Sequence, residues 1–301
     1  MRILRSGPGL VLAGAALWGT TGTAQALGPE GITPETVSVL RMAGGATLLA
    51  VAALSGRWQA PRSLPPGPLL LAIAAMAASQ PLFFAGVDRT GVAVGTVLTI
   101  GSGPVIAGVM ARIVRGERLS SRWMLATVIA VGGVVLLVSG GTRAGIDGAG
   151  VMFALGAGVA WPVYLLAAKA LFDEADPILV VGTVFTGAAL VLSPILIFGD
   201  ASWVADGRGV AVALWLALVA TALSYVFFSI GLQRTAVGVS ATLTLAEPVT
   251  ASILGVSVLD EPLIASSAIG IGLVVTALLV LALDPVAAAG DAIDSDHLRP
   301  D

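Results

Sequence analysis

The chain has 301 residues, 57% of them hydrophobic and only 11% charged, with a mean hydropathy of +0.99 and a formal net charge of −3. Globular domains carry roughly 25% charged residues, so this chain cannot clothe a water-facing surface, and its composition points to lipid as solvent. No cysteine is present and the single histidine, His297, lies in the polar tail; disulfides, thiolate catalysis and Cys-ligated metals are excluded, no metal or other cofactor is expected, and nothing in the charge suggests a nucleic-acid partner.

The first apolar run follows Arg2 and Arg5, as in a secretory signal. It continues as GLVLAGAALWGTTGTAQAL, about the length of a full span, so it is read as the first transmembrane helix. A helix needs about 20 residues to cross a hydrocarbon core of about 30 Å. Cutting the chain at its polar, proline-rich and glycine-rich breaks yields about ten such runs: 9–27, 37–54, 69–87, 91–114, 123–139, 151–172, 178–198, 210–231, 237–258 and 263–283. The predicted class is therefore an all-α integral membrane protein with ten transmembrane helices. Connectors such as DEADP (173–177) and LDEP (259–262) leave no room for a soluble domain. Residues 1–8 are a short N-terminus. Residues 284–301 are acidic, small and aperiodic, which predicts a disordered tail.

Lys and Arg set the orientation, because positive loops stay in the cytoplasm. With the N-terminus inside, inner segments hold Arg2, Arg5, Arg57, Arg62, Arg112, Arg115, Arg118, Arg122, Lys169 and Arg234, against Arg89, Arg143 and Arg208 outside. The bias is driven by RIVRGERLSSR in the first half and is weak in the second. Ten spans return the C-terminus to the cytoplasm.

An internal repeat is the most informative feature. FFAGVDRTGVAVGTVLTIGSGPVIAGVMARIVRGERL, from Phe83, aligns with FFSIGLQRTAVGVSATLTLAEPVTASILGVSVLDEPL, from Phe227, at a displacement of about 144 residues. Phe83 and Phe84 meet Phe227 and Phe228, Pro104 meets Pro248, Glu117 meets Glu261, and Leu119 meets Leu263. Arg89-Thr90 meets Arg234-Thr235 with a one-residue slip, and Trp18 meets Trp161 to within one residue. The halves, residues 9–142 and 143–283, each hold about five spans. Five is odd, so the second copy enters the membrane from the opposite side, the inverted repeat common among secondary transporters.

Two five-span halves, each closing its fourth span with a proline, about thirteen residues and Glu-x-Leu, resemble the drug/metabolite transporter superfamily, EamA type. The segments that carry the resemblance are GPVIAGVMARIVRGERL and EPVTASILGVSVLDEPL, and it extends over roughly residues 9 to 283. It implies a multi-pass protein of the cell membrane that exports amino acids, related metabolites or drugs. One departure is Asp260, where glycine is more usual; as a sequence feature it looks cosmetic.

Glu247 lies about ten residues into its span, near the midplane, where a charge costs a few kcal/mol. Desolvation favours the neutral acid and brings it within reach of a protonation cycle. Helical spacing puts Ser240, Thr244 and Thr250 on its face, and Pro248 cannot donate to the Thr244 carbonyl, which frees an acceptor beside the acid. The matching position in the first half is Gly103, so the acid breaks the symmetry. Its plain alternative is a neutral carboxyl bonded to a neighbouring helix. Arg41 either snorkels to the outer interface, holds a substrate carboxylate or pairs with Glu247. Trp18, Trp161, Tyr164 and Tyr225 suit a pocket for an apolar or aromatic solute, or a packed or interfacial belt; Gln80 is a neutral hydrogen-bonding candidate. Pro104 and Pro248 are hinge candidates, with Pro162 and Pro194 as further kinks. Glu117 and Glu261 cap the next helix or act as gates. Lys169, near Asp173 and Glu174, reads as part of a solvated cytoplasmic cluster.

No Walker-type phosphate loop is present. The functional expectation is a secondary transporter for a small solute working by alternating access, with Glu247 as its proton site or as the partner of a substrate amine; an uncoupled facilitator is the alternative. An intramembrane enzyme would need paired acids or histidines at membrane depth, and only Glu247 lies there. Substrate, direction, coupling ion and oligomeric state are not in the sequence.

Overall fold

In the computed structural model, residues 6–56, 64–138, 147–198 and 200–283 are described, and every regular element among them is helical. The expected 284–301 tail lies outside these residues. In chain order the elements are α1 (Gly7–Trp18), α2 (Thr20–Ala26), α3 (Pro34–Leu54), α4 (Pro66–Thr90), α5 (Val92–Thr96), α6 (Ser102–Arg115), α7 (Ser121–Val138) and α8 (Gly148–Phe172). There follow α9 (Pro177–Leu192), α10 (Ile195–Phe198), α11 (Gly207–Leu214), α12 (Ser224–Gln233), α13 (Val237–Leu243), α14 (Ala246–Val258) and α15 (Ala265–Ala282). Two π-helical stretches, Val97–Gly101 and Trp215–Leu223, join α5 to α6 and α11 to α12. Among the described residues, eight continuous helical runs are long and apolar enough to cross a membrane, and Pro177–Leu192 is a shorter apolar helix.

Helix starts follow local chemistry. Ser6, Thr33, Asp147, Asp176 and Asp206 cap α1, α3, α8, α9 and α11 by accepting a backbone N–H from the first turn, and prolines open α1, α3, α4 and α9. The Gly116 and Asp260 turns, which precede the paired glutamates, share a left-handed backbone, with φ of +69° and +56°. Glycine adopts that conformation freely and aspartate tolerates it. Asp260 is therefore not a cosmetic departure: it occupies the position where a left-handed bend favours glycine.

Close helix contacts repeat between the halves. A Cβ on Gly7 would strike Arg234 and Thr235, and one on Gly150 would strike Arg89 and Thr90; Gly231 lies against Gly7 and Val11 as Gly86 lies against Ala154. Gly44 meets the Ala217 backbone as Gly187 meets Ile73. The start of α1 thus packs on the end of α12, and the start of α8 on the end of α4. Because Lys169, near the end of α8, donates to the Thr235 carbonyl just past α12, α8 ends at the level where α1 begins. Small residues permit this approach where no hydrophobic force drives helices together in lipid.

Cations sort to the two ends. Arg115 pairs with Asp173 at 3.7 Å at one end, and Arg89 pairs with Asp147 at 3.3 Å at the other. At that second end Arg208 also donates to the Leu27 carbonyl.

Candidate functional site

The helices that carry the candidate residues are interrupted where they meet. α1 gives way to α2 at Gly19, which packs so closely on the Glu247 carbonyl and Thr250 that no side chain fits. α13 gives way to α14 at Thr244 and Leu245. Pro248 has no N–H for the Thr244 carbonyl, and the Glu247 N–H takes that carbonyl instead, at 2.9 Å. The acceptor expected to be free beside the acid is therefore used in a tight turn. In the other half, Pro104 is preceded by the π-helical Val97–Gly101, which absorbs its missing donor.

These interruptions border a cavity of about 150 Å³, room for a single small solute. α4 contributes Ser79, Gln80, Phe83 and Phe84; the α5–α6 run contributes Thr99, Ile100, Gly103 and Pro104; α8 contributes Ala157, Gly158 and Trp161. Trp18, Arg41, Tyr225, Thr244 and Glu247 complete the wall. Seven of the eight residues expected to contact substrate are thus brought together, with Pro104 beside them. Tyr164 is not: it is 1% exposed, stacked on Phe185 behind Tyr225. The polar stripe is also shorter than helical spacing suggested. Thr244 lines the cavity, whereas Ser240 is fully buried and Thr250 spends its hydroxyl on the Ala246 carbonyl, because the break after α13 resets the rotation.

Glu247 and Arg41 line the same cavity, yet no ion pair within 4 Å joins them among the described residues. Among the described residues no hydrogen bond holds either group, and the buried Arg41 Nε and Trp18 Nε1 are without partners. Arg41 is half-buried and lines the cavity. A guanidinium and a carboxyl group are thus presented to one small space.

The floor is aromatic. Trp18 lies 4.7 Å from Tyr225 and 5.0 Å from Phe228 between ring centroids, and meets Trp161 edge-on at 6.4 Å. Trp161 also covers Gly103, the position matching Glu247, so the acid faces a bare backbone and an indole rather than a second acid.

The cavity sits off centre. Most of its residues on α4, on the α5–α6 run and on α8 lie in the halves nearer Thr90, Val92 and Gly148, with Pro104 and Trp161 close to the midpoints and Tyr225 and Thr244 on the other side. The pseudo-equivalent positions on the other side, among them Ala15, Ser224, Phe228 and Leu243, are buried and packed. Sequence reasoning missed Ser79, Thr99, Gly158 and the wall made by Phe83 and Phe84. The phenylalanines were visible as repeat markers, and Thr99 already bonds to the Ala154 carbonyl; nothing in the sequence distinguished their inward faces.

Glu117 and Lys169 are at the opposite end. Both Glu117 carboxylate oxygens accept the Val237 N–H, at 3.0 and 3.1 Å, so Glu117 caps α13 in the other half of the chain and not the helix that follows it. Lys169 is 2% exposed and donates to the Thr235 carbonyl at 2.9 Å. It is buried by the α12–α13 connection, which corrects the expected solvated cluster. Glu261 is exposed, with its N–H on the Gly255 carbonyl.

The model of the EamA-like transporter family matches this chain twice, at residues 5–139 and 148–283. The chain is 41% identical over 275 residues to "Uncharacterized transporter YwfM" of Bacillus subtilis, covering 91% of this chain and 93% of the relative. It is 32% identical over 154 residues to "Threonine/homoserine exporter RhtA" of Escherichia coli K12, covering 50% and 51% of the two chains. A solved crystal structure is similar with a TM-score of 0.79 at 20% identity, over 90% of this chain and 94% of that one; at that identity the likeness concerns the fold alone.

Proposed function

The chain belongs to the EamA-like transporter family, and on that premise we propose that it exports a small zwitterionic metabolite of amino-acid size by alternating access. We read ten spans: α1 with α2, α3, α4, α5 to α6, and α7 in residues 9–142; then α8, α9 with α10, α11 to α12, α13 to α14, and α15 in residues 143–283. The two halves are inverted, and both termini are cytoplasmic. The recurring glycine contacts support that reading, as does the agreement between the Lys and Arg bias and the two ends.

The observation that carries the substrate class is that Arg41 and Glu247 share one cavity without pairing. A zwitterion supplies the missing partner to each: its carboxylate to the guanidinium, its ammonium to the acid, with Trp18, Trp161 and Tyr225 against its apolar part. An exporter named for threonine and homoserine among the relatives supports amino acids as the first solutes to try. Substrate and proton then compete for Glu247: proton binding from one side discharges the ammonium, and proton release on the other restores the site. Gln80 and Thr244 orient the solute by neutral hydrogen bonds, while Pro104 and Pro248 let α6 and α14 bend during the exchange.

The test is transport of radiolabelled amino acids, threonine and homoserine first, in proteoliposomes with an imposed pH gradient. The expected outcome is gradient-driven accumulation that Glu247→Gln abolishes. Accumulation indifferent to the gradient would leave an uncoupled facilitator, and equal accumulation by Glu247→Gln would remove the acid from the mechanism.

A further inference from the structure

We propose that Lys169 and Glu117 form a buried latch that holds the inner end shut, and that Glu261 is its weaker outer counterpart. This rests on the alternating-access reading, and it names the residues that set the resting state.

Lys169 comes from the end of α8, Glu117 from the α6–α7 connection, Thr235 from the α12–α13 connection and Val237 from the start of α13. The Lys169 Nζ lies 3.9 Å from Glu117 Oε1, with the two side chains 3% and 7% exposed. Lys169 also bonds the Thr235 carbonyl, and Glu117 bonds the Val237 N–H. One buried cluster therefore joins three segments, and two of its contacts, Lys169 to Glu117 and Val237 to Glu117, tie the two halves together. Around it the backbones close: Gly238 meets the Gly108 Cα, and Gly14 meets the Ser224 carbonyl and Phe228. The cavity cannot reach this end without parting these contacts.

At the other end the same turn is built and left open. The Glu261 N–H bonds the Gly255 carbonyl as the Glu117 N–H bonds the Ala111 carbonyl. The Glu261 carboxylate instead lies exposed beside Gly255. By the repeat, its target is the N–H of Val92 at the start of α5, the counterpart of Val237 at the start of α13. In the state with the cavity turned inward, Glu261 caps α5 as Glu117 now caps α13. The position matching Lys169 falls at Gln25 or Ala26, at the end of α2, so the outer latch has no cation at that position, Arg208 being bonded to the Leu27 carbonyl. The Lys169–Glu117 ion pair therefore has no counterpart in the repeat at the outer end. That difference in free energy between the two ends biases the resting population towards the state whose cavity faces outward.

The chain lacks cysteine, so Ile100→Cys places a sole thiol on the cavity wall. The assay is its labelling rate by a membrane-impermeant maleimide applied outside right-side-out vesicles. Against that background, Lys169→Met and Glu117→Gln are expected to slow outside labelling at least about threefold, the change given by a population falling from nearly all outward to about a third. Lys169→Arg keeps the rate near that of the background, and Glu261→Gln leaves it equal or faster. The double variant Lys169→Met/Glu117→Gln buries no unpaired charge and is expected to show the same slowing, which keeps the test open should a single variant fold poorly. Background-rate labelling in the double variant would overturn the latch, as would an equal slowing by Glu261→Gln. No solute is involved, so a wrong substrate class leaves this result intact. Labelling of the background from the inside face alone would instead refute the sidedness on which the proposed function rests.

Discussion

Thr242 offers a clean test of how the α5–α6 run, α7 and α13 are tied. Its hydroxyl donates to the Gly238 carbonyl at 3.1 Å, so it must accept both from the Trp123 indole N–H at 3.1 Å and from the Thr127 hydroxyl at 2.9 Å. Thr242→Val keeps the shape and removes the shared oxygen. Thr127 can turn to a carbonyl one helical turn back, whereas the indole, wedged over Gly108 and near Gly238, cannot re-aim. An orphaned buried donor costs about 1–3 kcal/mol, while hydrogen bonds measured inside membranes average about 0.6 kcal/mol. The expected loss is therefore about 1–2 kcal/mol, or roughly 2–6 °C in Tm for a chain of this size. Melting followed by circular dichroism in detergent measures it, with Trp123→Phe alone and combined. Trp123→Phe deletes the donor that Thr242→Val orphans, so the double variant should be more stable than the sum of the single losses by about 1 kcal/mol. Additivity to within about 0.3 kcal/mol would refute the assigned bond.

Other consequences are equally direct. Trp18 and Trp161 line the cavity, so intrinsic fluorescence can report binding. Arg41→Gln and Glu247→Gln are each expected to weaken a zwitterionic amino acid about 10- to 100-fold, from about 1.5–3 kcal/mol per charged contact. Glu247→Gln should lose preference over the deaminated analogue, and Arg41→Gln over the decarboxylated one; parallel losses for all three solutes would contradict the assignment. Gly116→Val meets open space but forces a left-handed residue with a branched Cβ, so thermal melts should show a loss of about 1–2 kcal/mol, with Asp260→Gly neutral or stabilising. The Ala149 N–H and the Arg89 guanidinium hold the Asp147 carboxyl below its usual value. Its contribution is therefore present above the unfolded-state pKa and is lost as pH falls through the lower folded one. Asp147→Asn, which keeps a capping oxygen, should flatten that acid-side decline in melts between about pH 2 and 5; an unchanged slope would exclude the pairing.

Hydropathy and repetition are local properties, and the sequence by itself determined what depends on them: a lipid-soluble class, the helical runs, the doubled half, and the lone deep acid at Glu247. Even the bend at Asp260 could be noticed, though not interpreted, until its φ placed it beside Gly116. What the sequence left undecided is how the faces are paired. Tyr164 and Tyr225 are both apolar-run aromatics, yet only Tyr225 reaches the cavity, because Phe185 from α9 covers Tyr164. Lys169 reads as a surface cation beside two acids until the α12–α13 connection folds over it. Above all, two nearly equivalent halves supply two nearly equivalent gaps, and periodicity cannot say which one opens. Tertiary structure decides that by many small unequal contacts: a glycine seat here, a buried ion pair there, whose sum no single stretch of chain contains.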